Sequence, residues 1–412
     1  MANTLKFGNG NWATKEDSVL AYNDENNNFK PLPFDFTRAS TATYVDSDGL
    51  IKTAGNAEAR VDYTDSTKGA LLLEPARSNS IQYSEDFSNA AWVSLGSSIT
   101  LNSIVSPDGT LNASKIFGDG SQPYVAIKDN IVFSSTGEYT LSVYAKVGNN
   151  NFLRLQFAGV TNGSSAYYDL ENGTTSSSGA SIVYVGNGWY RCILTNNLTG
   201  VDLTGAVQIF ASYSTSASTF PSVSDATNQN IYLWGAQIEA GSYATSYIPT
   251  SGSSVTRVAE FSSQTGVEQV IGQSEGTMYI EFIPLDASAT QILFQIRTTG
   301  SSNSGQIDFR LQSGAIRTLG NDAGSNQFSF SGGSYTVGTT YKVAVRYKTN
   351  DTKLYINGLF AGSDTTCSFS SSTKQQISFN EDTSILPALA KIKDARLYTT
   401  ALTDAELATL TT

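Results

Sequence analysis

Between Leu71 and about Pro249, apolar residues recur at every second position in short runs cut by clusters of Gly, Ser and Asn. The run EYTLSVYAKV places Tyr139, Leu141, Val143 and Ala145 on one side of a strand. In NFLRLQF, Leu153, Leu155 and Phe157 oppose Phe152, Arg154 and Gln156, because successive side chains of a strand point to opposite faces. AVQIFASY and IYLWGAQIE repeat the pattern, and GNNN, TNGSS, ENGTTSSSG and GNG break it. Period-two runs separated by turn-forming clusters are the signature of an antiparallel sandwich. No helical period of comparable length interrupts them.

The chain has 412 residues, more than one hydrophobic core ordinarily serves. A Ser/Thr/Gly-rich stretch without a dominant period, Thr250 to Thr277, reads as a linker or a strand crossing between domains. Beyond it a second set of alternating runs follows: TMYIEFIP, QILFQI, QIDFRL, YKVAVRYK and TKLYING. Asn357-Gly358 between two such runs predicts a tight hairpin, since both residues tolerate positive φ. Near the C-terminus LTDAELATL predicts a helix capped by Thr403 and Glu406, with Leu402 stapled onto Leu407. Residues 1–70, rich in Asn, Asp and Thr, read as loop-rich and extended. Their short apolar pieces bury too little alone and need a partner surface.

The fold class is therefore all-β: two antiparallel β-sandwich domains, 71–262 and 263–412, preceded by a loop-rich N-terminal segment, 1–70.

Composition then removes whole classes of chemistry. There is no histidine, so the usual general base near neutral pH and the commonest metal ligand are missing. The two cysteines, Cys192 and Cys367, are far apart and sit in apolar runs, so they read as buried hydrophobes in strands, not a disulfide framework or zinc site. A net charge of −11 and no basic run argue against nucleic acid as a partner. No apolar stretch approaches the roughly 20 residues that span a bilayer, and MANTLKFGNGNW has neither part of a secretory signal. Membrane insertion and a secretory leader are not expected.

The ordered set LLLEPARSNSIQYSEDFSNAAW, SPDGTLNASKI, YTLSVYAK, GWYRCILT and YLWGAQIEAGSYATSYIPT resembles the phage head spike fibre domain, a jelly roll similar to carbohydrate-binding modules. GTMYIEF, KVAVRY, KLYINGLFAG and IKDARLYTTALTDAELATL resemble the LamG-like, concanavalin-type jelly roll. The N-terminal WATKEDSVLAYNDENNNFKPLPFDFTRASTATYVDSDGLI is similar to attachment segments of phage structural proteins. These resemblances imply a non-enzymatic virion protein, a head or tail fibre, made in a host bacterial cytoplasm. They further imply a homo-oligomer, with a trimer favoured, contacts to other virion proteins through residues 1–70, and adhesion to cell-surface or environmental glycans. The alternative is a polysaccharide lyase or hydrolase with an accessory binding domain.

For each aromatic or carboxylate that could meet a ligand, a place in the core is the competing role. In IYLWGAQIE, alternation puts Tyr232, Trp234, Ala236 and Ile238 on one face, and Trp234, like Trp189, is expected in the core. Trp92 and Tyr124 lie near Ser, Asn, Gln or Pro and are the candidates for stacking on a sugar, the competing reading being a plug at the sandwich end. Glu281 and Asp308 stand as isolated carboxylates without the paired partner that glycoside hydrolysis requires, and read as strand-edge charges. Asp46, Asp48, Asp24 and Glu25 lack calcium-loop spacing and read as turn residues. No catalytic residue, metal site or cofactor is expected.

Overall fold

The computed structural model describes the chain apart from residues 1–4, 11, 16, 24–29, 201–202, 218, 288–289, 302–303, 370 and 381–387. Nearly all of its regular structure is β-strand, as the alternation requires. Two compact units are present: unit 1 comprises Met1–Ser47, Thr53–Ala76 and Val258–Thr412, and unit 2 comprises Asp48–Lys52 and Arg77–Arg257.

Unit 2 holds two six-stranded sheets. The first runs in the order Trp92–Leu95, Val125–Val132, Thr204–Ser212, Phe152–Ala158, Ser165–Asp169, Thr174–Thr175. The second runs Ser97–Ile104, Ala113–Gly118, Asn230–Ala240, Gly137–Val147, Trp189–Leu198, Ala180–Tyr184. Every registered pair within them is antiparallel. The inward faces meet in one apolar core that includes Leu141, Val143, Ala145, Leu153, Leu155, Phe157, Val207 and Ile209. That is the face the alternation selected.

One strand breaks its own period. Gly235 adopts φ +61, and the pairing of Gly137–Val147 with Asn230–Ala240 shifts register between Ser142 and Tyr144. A bulge of this kind changes which residues share a face. Ile231 and Leu233 therefore join Ala236 and Ile238 in the core, and Trp234 is turned to the opposite side. There it is 1 % exposed, with its ring 5.3 Å from Tyr144 and 4.6 Å from Tyr247. Trp234 is buried as expected, but not on the face shared by Ala236 and Ile238.

Unit 1 is a second sandwich, and it reaches back to the beginning of the chain. Glu275–Pro284 lies between Tyr341–Lys348 and Ala390–Tyr398, and Ala390–Tyr398 pairs onward with Leu5–Gly8 and Ala70–Leu73. A second run of pairings leads from Ser18–Asn23 to Lys30–Thr37, Phe261–Thr265, Gln376–Phe379, Gln291–Arg297 and Gln306–Gln312. The core between them takes Leu5, Phe7, Val19, Phe34 and Phe36 from the N-terminal segment. Phe7 meets Phe34 at 4.7 Å and Phe379 at 4.8 Å.

This grouping differs from the linear division at residues 70 and 262. The short N-terminal strands do need a partner surface, and the C-terminal sandwich of the same chain supplies it. Of the two readings of Thr250–Thr277, a linker or a strand crossing, the structure has the crossing: it contains the strands Val255–Arg257 and Phe261–Thr265 and the 3-10 helix Glu268–Val270, and the units divide at Arg257 and Val258. Between the two strands Glu260 is fully buried, accepting from Arg38 Nη1 at 2.7 Å and Arg60 Nε at 2.8 Å.

The local signals hold. Asn357 and Gly358 take φ 48 and 79 and turn the chain between Thr352–Ile356 and Leu359–Asp364. The helix Asp404–Thr411 carries the Thr403–Glu406 capping box, and Leu402 and Leu407 share one apolar cluster. Both cysteines are free and buried. Cys192 lies in a strand as expected, while Cys367 follows the strand Leu359–Asp364 in irregular chain.

Candidate glycan-binding face of unit 2

The side of the first sheet that faces away from the core of unit 2 is neither apolar nor uniformly charged. Alternation opposite Leu153, Leu155 and Phe157 puts Phe152, Arg154 and Gln156 there. Register then aligns them with their neighbours. Arg154 stands between Phe210 and Tyr167, and Phe210 pairs with Ala126. In the adjoining row Gln156 stands between Gln208 and Ser165, and Gln208 pairs with Lys128. Phe152 pairs with Ser212 and Asp169 on the other side of Arg154.

Arg154 organises this face. Its guanidinium lies 4.7 Å from the centroid of Phe210 and 5.6 Å from that of Tyr167, an arrangement in which the ring quadrupoles hold the cation. Nη2 donates to Ser165 Oγ at 3.0 Å, while Nε is buried without a hydrogen-bond partner. Burial pushes the guanidinium pKa down, opposed by Tyr167. Asp169, the carboxylate on the same face, is committed to its own turn. Its Oδ1 accepts from the N–H groups of Glu171 and Asn172 at 3.0 Å, and Oδ2 accepts from Asn172 Nδ2 at 2.8 Å. Those bonds hold its pKa down against partial burial.

Where Phe152–Ala158 begins, the face opens into a pocket of about 440 Å³ lined by Asn149, Asn150, Asn151, Phe152, Tyr213, Phe220, Ser224, Asp225 and Gln229. Tyr213 is 50 % exposed and meets the buried Phe220 edge to face at 5.7 Å. The asparagine run braces the rim. Asn149 accepts from Asn230 N at 2.7 Å, Asn150 donates to Ser212 O at 2.9 Å, and Asn151 donates to Glu171 Oε2 at 2.6 Å. Gly148 is required just before them, because a Cβ there would lie 2.1 Å from Asn230 Oδ1. Ser222 accepts from Asp225 N and caps the short helix Val223–Ala226 on the far rim. Aromatic faces beside fixed amides and a carboxylate offer what a sugar ring presents in reverse: C–H patches and hydroxyls.

The two residues singled out in the sequence separate here. Trp92 is 4 % exposed, packs 5.1 Å from Phe87 and donates Nε1–H to Tyr83 O at 2.9 Å. Its ring has no free face for a sugar, and it fills the plug role. Tyr124 is half-buried and immediately precedes Val125, which pairs with Ala211, so it lies at the pocket end of the sheet without lining the pocket. Trp189 is buried and donates to Val105 O at 3.0 Å. Arg154, Phe210, Tyr167 and Tyr213 were not singled out. The signal was the polar-aromatic side of NFLRLQF, opposite the face that declared itself as core.

The isolated carboxylates of unit 1 are held by cations. Glu281 lies 3.1 Å from Lys393 Nζ. Asp308 is not at a strand edge: it is fully buried in Gln306–Gln312 and accepts from Arg310 Nε at 2.8 Å and Gln306 Nε2 at 2.7 Å. Among the described residues no group of three His, Cys, Asp or Glu side chains could hold a metal ion. Asp24 and Glu25 lie outside the described residues. No helix among the described residues is long and apolar enough to cross a membrane.

Comparison with solved structures aligns about a third of the chain. The CBM40 domain of the Ruminococcus gnavus IT-sialidase is 16 % identical, with 36 % of this chain and 91 % of that one covered at a TM-score of 0.31. The SAP-like pentraxin of Limulus polyphemus is 16 % identical, with 34 % and 70 % covered at 0.29. A mutant NanB sialidase of Streptococcus pneumoniae is 18 % identical, with 36 % and 26 % covered at 0.32. Comparison with curated proteins gives no match. Residues 263–408 match the concanavalin A-like lectin/glucanases superfamily, so this part of the chain is similar to that superfamily, in keeping with the LamG-like jelly roll expected there.

Proposed function

We propose that the chain is a non-catalytic glycan-binding protein of a bacteriophage particle, a head or tail fibre, whose unit 2 presents the Phe210–Arg154–Tyr167 face and the adjoining Phe152–Tyr213–Phe220 pocket to saccharides. The observation that carries the binding reading is this face itself. It combines aromatic rings, amides and a half-buried arginine on hydrogen-bonded strands, a rigid platform that loses little entropy when a ligand settles. A lectin-type jelly roll over residues 263–408 is in keeping with that reading. The placement on a virion rests on the resemblance of the ordered set from Leu71–Trp92 to Tyr232–Thr250 to head spike fibre domains. Repeated copies on one particle, a trimer being favoured, would raise weak adhesion through effective concentration.

The test has two arms. Purified protein is titrated with a panel of bacterial polysaccharides beside Phe152→Ala and Tyr213→Ala, and the same panel is incubated with protein and assayed for reducing ends and unsaturated uronates. Saturable binding lost in the variants, with no product release, supports the proposal. Turnover would establish the alternative, a polysaccharide-active enzyme. Immunogold labelling of intact phage, with no label on particles, would overturn the virion placement alone.

A further inference from the structure

Arg154 also indicates which class of saccharide the face takes. The sequence carries a formal charge of −11, yet the central rows of this face hold two cations, Lys128 and Arg154, at diagonal positions on either side of Gln208 and Phe210. Asp169, the carboxylate on the face, is held by its own turn. Among the described residues no carboxylate pairs with Arg154. Its neighbours are the two rings, which neutralise nothing, and the hydroxyl of Ser165.

A guanidinium carries five N–H donors in a planar fork, and a carboxylate accepts two of them side by side. Arg154 is already held between Phe210 and Tyr167 and tied to Ser165 through Nη2, so the guanidinium is positioned before a ligand arrives. Its Nε is buried without a hydrogen-bond partner. Neutral hydroxyls would satisfy the donors but leave the cation uncompensated, whereas a carboxylate supplies the charge and the two-pronged geometry together. Gln156 and Gln208 stand in the next row, where the hydroxyls of the same ring would fall, and Lys128 lies one strand further.

We propose that the Phe210–Arg154–Tyr167 strip binds the carboxylate of an acidic saccharide, a sugar-acid unit of a host or environmental polysaccharide. This rests on the glycan-binding reading above and narrows it.

Paired probes make the test. Oligogalacturonate, oligoguluronate, hyaluronan fragments and oligosialic acid are each compared with their own methyl esters, which keep the backbone and remove the charge. Binding of the full chain is measured by calorimetry at low and high salt. At least one acid should bind ten-fold or more tighter than its ester, and the preference should shrink as salt rises. Arg154→Gln should erase the preference while retaining the parent melting temperature, and Arg154→Lys, which keeps the charge but not the fork, should restore only part of it. Acid and ester binding alike across all four pairs, an undiminished preference in Arg154→Gln, or a stronger preference for a sulfated neutral glycan would each overturn the carboxylate assignment. If neutral glycans still bind and Tyr213→Ala removes that binding, the general reading survives without it. If nothing binds, both fall.

Discussion

Arg38 Nη1 lies 2.7 Å from Glu260 Oε1, and neither side chain is exposed to solvent. The two residues are separated by almost all of unit 2 in sequence, yet both belong to unit 1. Glu260 also meets Arg60 at 2.5 Å and accepts from the N–H of Glu74 at 3.1 Å, while Arg60 pairs with Glu74 at 2.8 Å. One buried carboxylate thus joins Arg38, Arg60 and Glu74 to the start of the C-terminal part. A buried charge network tolerates no missing member, because the remaining charges lose both water and partner.

Glu260→Gln should accordingly cost unit 1 roughly 3–5 kcal/mol, the usual consequence of leaving a buried charge uncompensated. Thermal unfolding followed by tryptophan fluorescence and calorimetry would register it. A variant that melts with the parent would show that the network contributes nothing net.

Deleting residues 1–37 should abolish the folded state of unit 1. The deletion removes Leu5–Gly8 from beside Ala390–Tyr398 and Lys30–Thr37 from beside Phe261–Thr265, and takes Phe7, Phe34 and Phe36 out of the core. Limited proteolysis of the truncated chain should degrade residues 258–412 and spare 77–257. Protection of both parts would mean that the segment is an appendage after all.

Trp234→Ala and Trp92→Ala should each destabilise unit 2 by roughly 3–5 kcal/mol, as large buried aromatics do when truncated. Both rings are covered, Trp234 by Tyr144 and Tyr247 and Trp92 by Phe87. Glycan binding at temperatures where the variants remain folded should match the parent. A variant with parental melting and no binding would reassign its tryptophan to the ligand.

Stability of unit 2 should fall as pH rises from about 4 to 6 through Asp129. This residue is on the core side of Val125–Val132, opposite Trp92 and Val207, and burial pushes its pKa up to about 6. The unfolded chain releases that proton near 3.9, so between the two values the folded state binds more protons and loses stability with rising pH. Asp129→Asn should flatten this window and raise the melting temperature at pH 7. An unchanged profile across pH 4–6 would place the carboxyl in water.

Asparagine–glycine at 357–358, the Thr403–Glu406 cap and the core faces of EYTLSVYAKV and NFLRLQF were all determined by the sequence itself, because each depends on neighbours a few positions away. The same alternation marked Phe152, Arg154 and Gln156 as the other side of their strand, but a period has no means of naming the strands beside it. Only pairing with Thr204–Ser212 and Ser165–Asp169 brought Phe210 and Tyr167 to the two sides of Arg154 and made a face of isolated residues. Likewise the bulge at Gly235 moved Trp234 across the sheet, since one inserted residue inverts every side chain beyond it. The largest rearrangement is that of residues 1–70. Their strands bury too little apolar surface alone, so where they fold was decided by the edges of Ala390–Tyr398 and Phe261–Thr265 and by the carboxylate of Glu260, all distant in sequence.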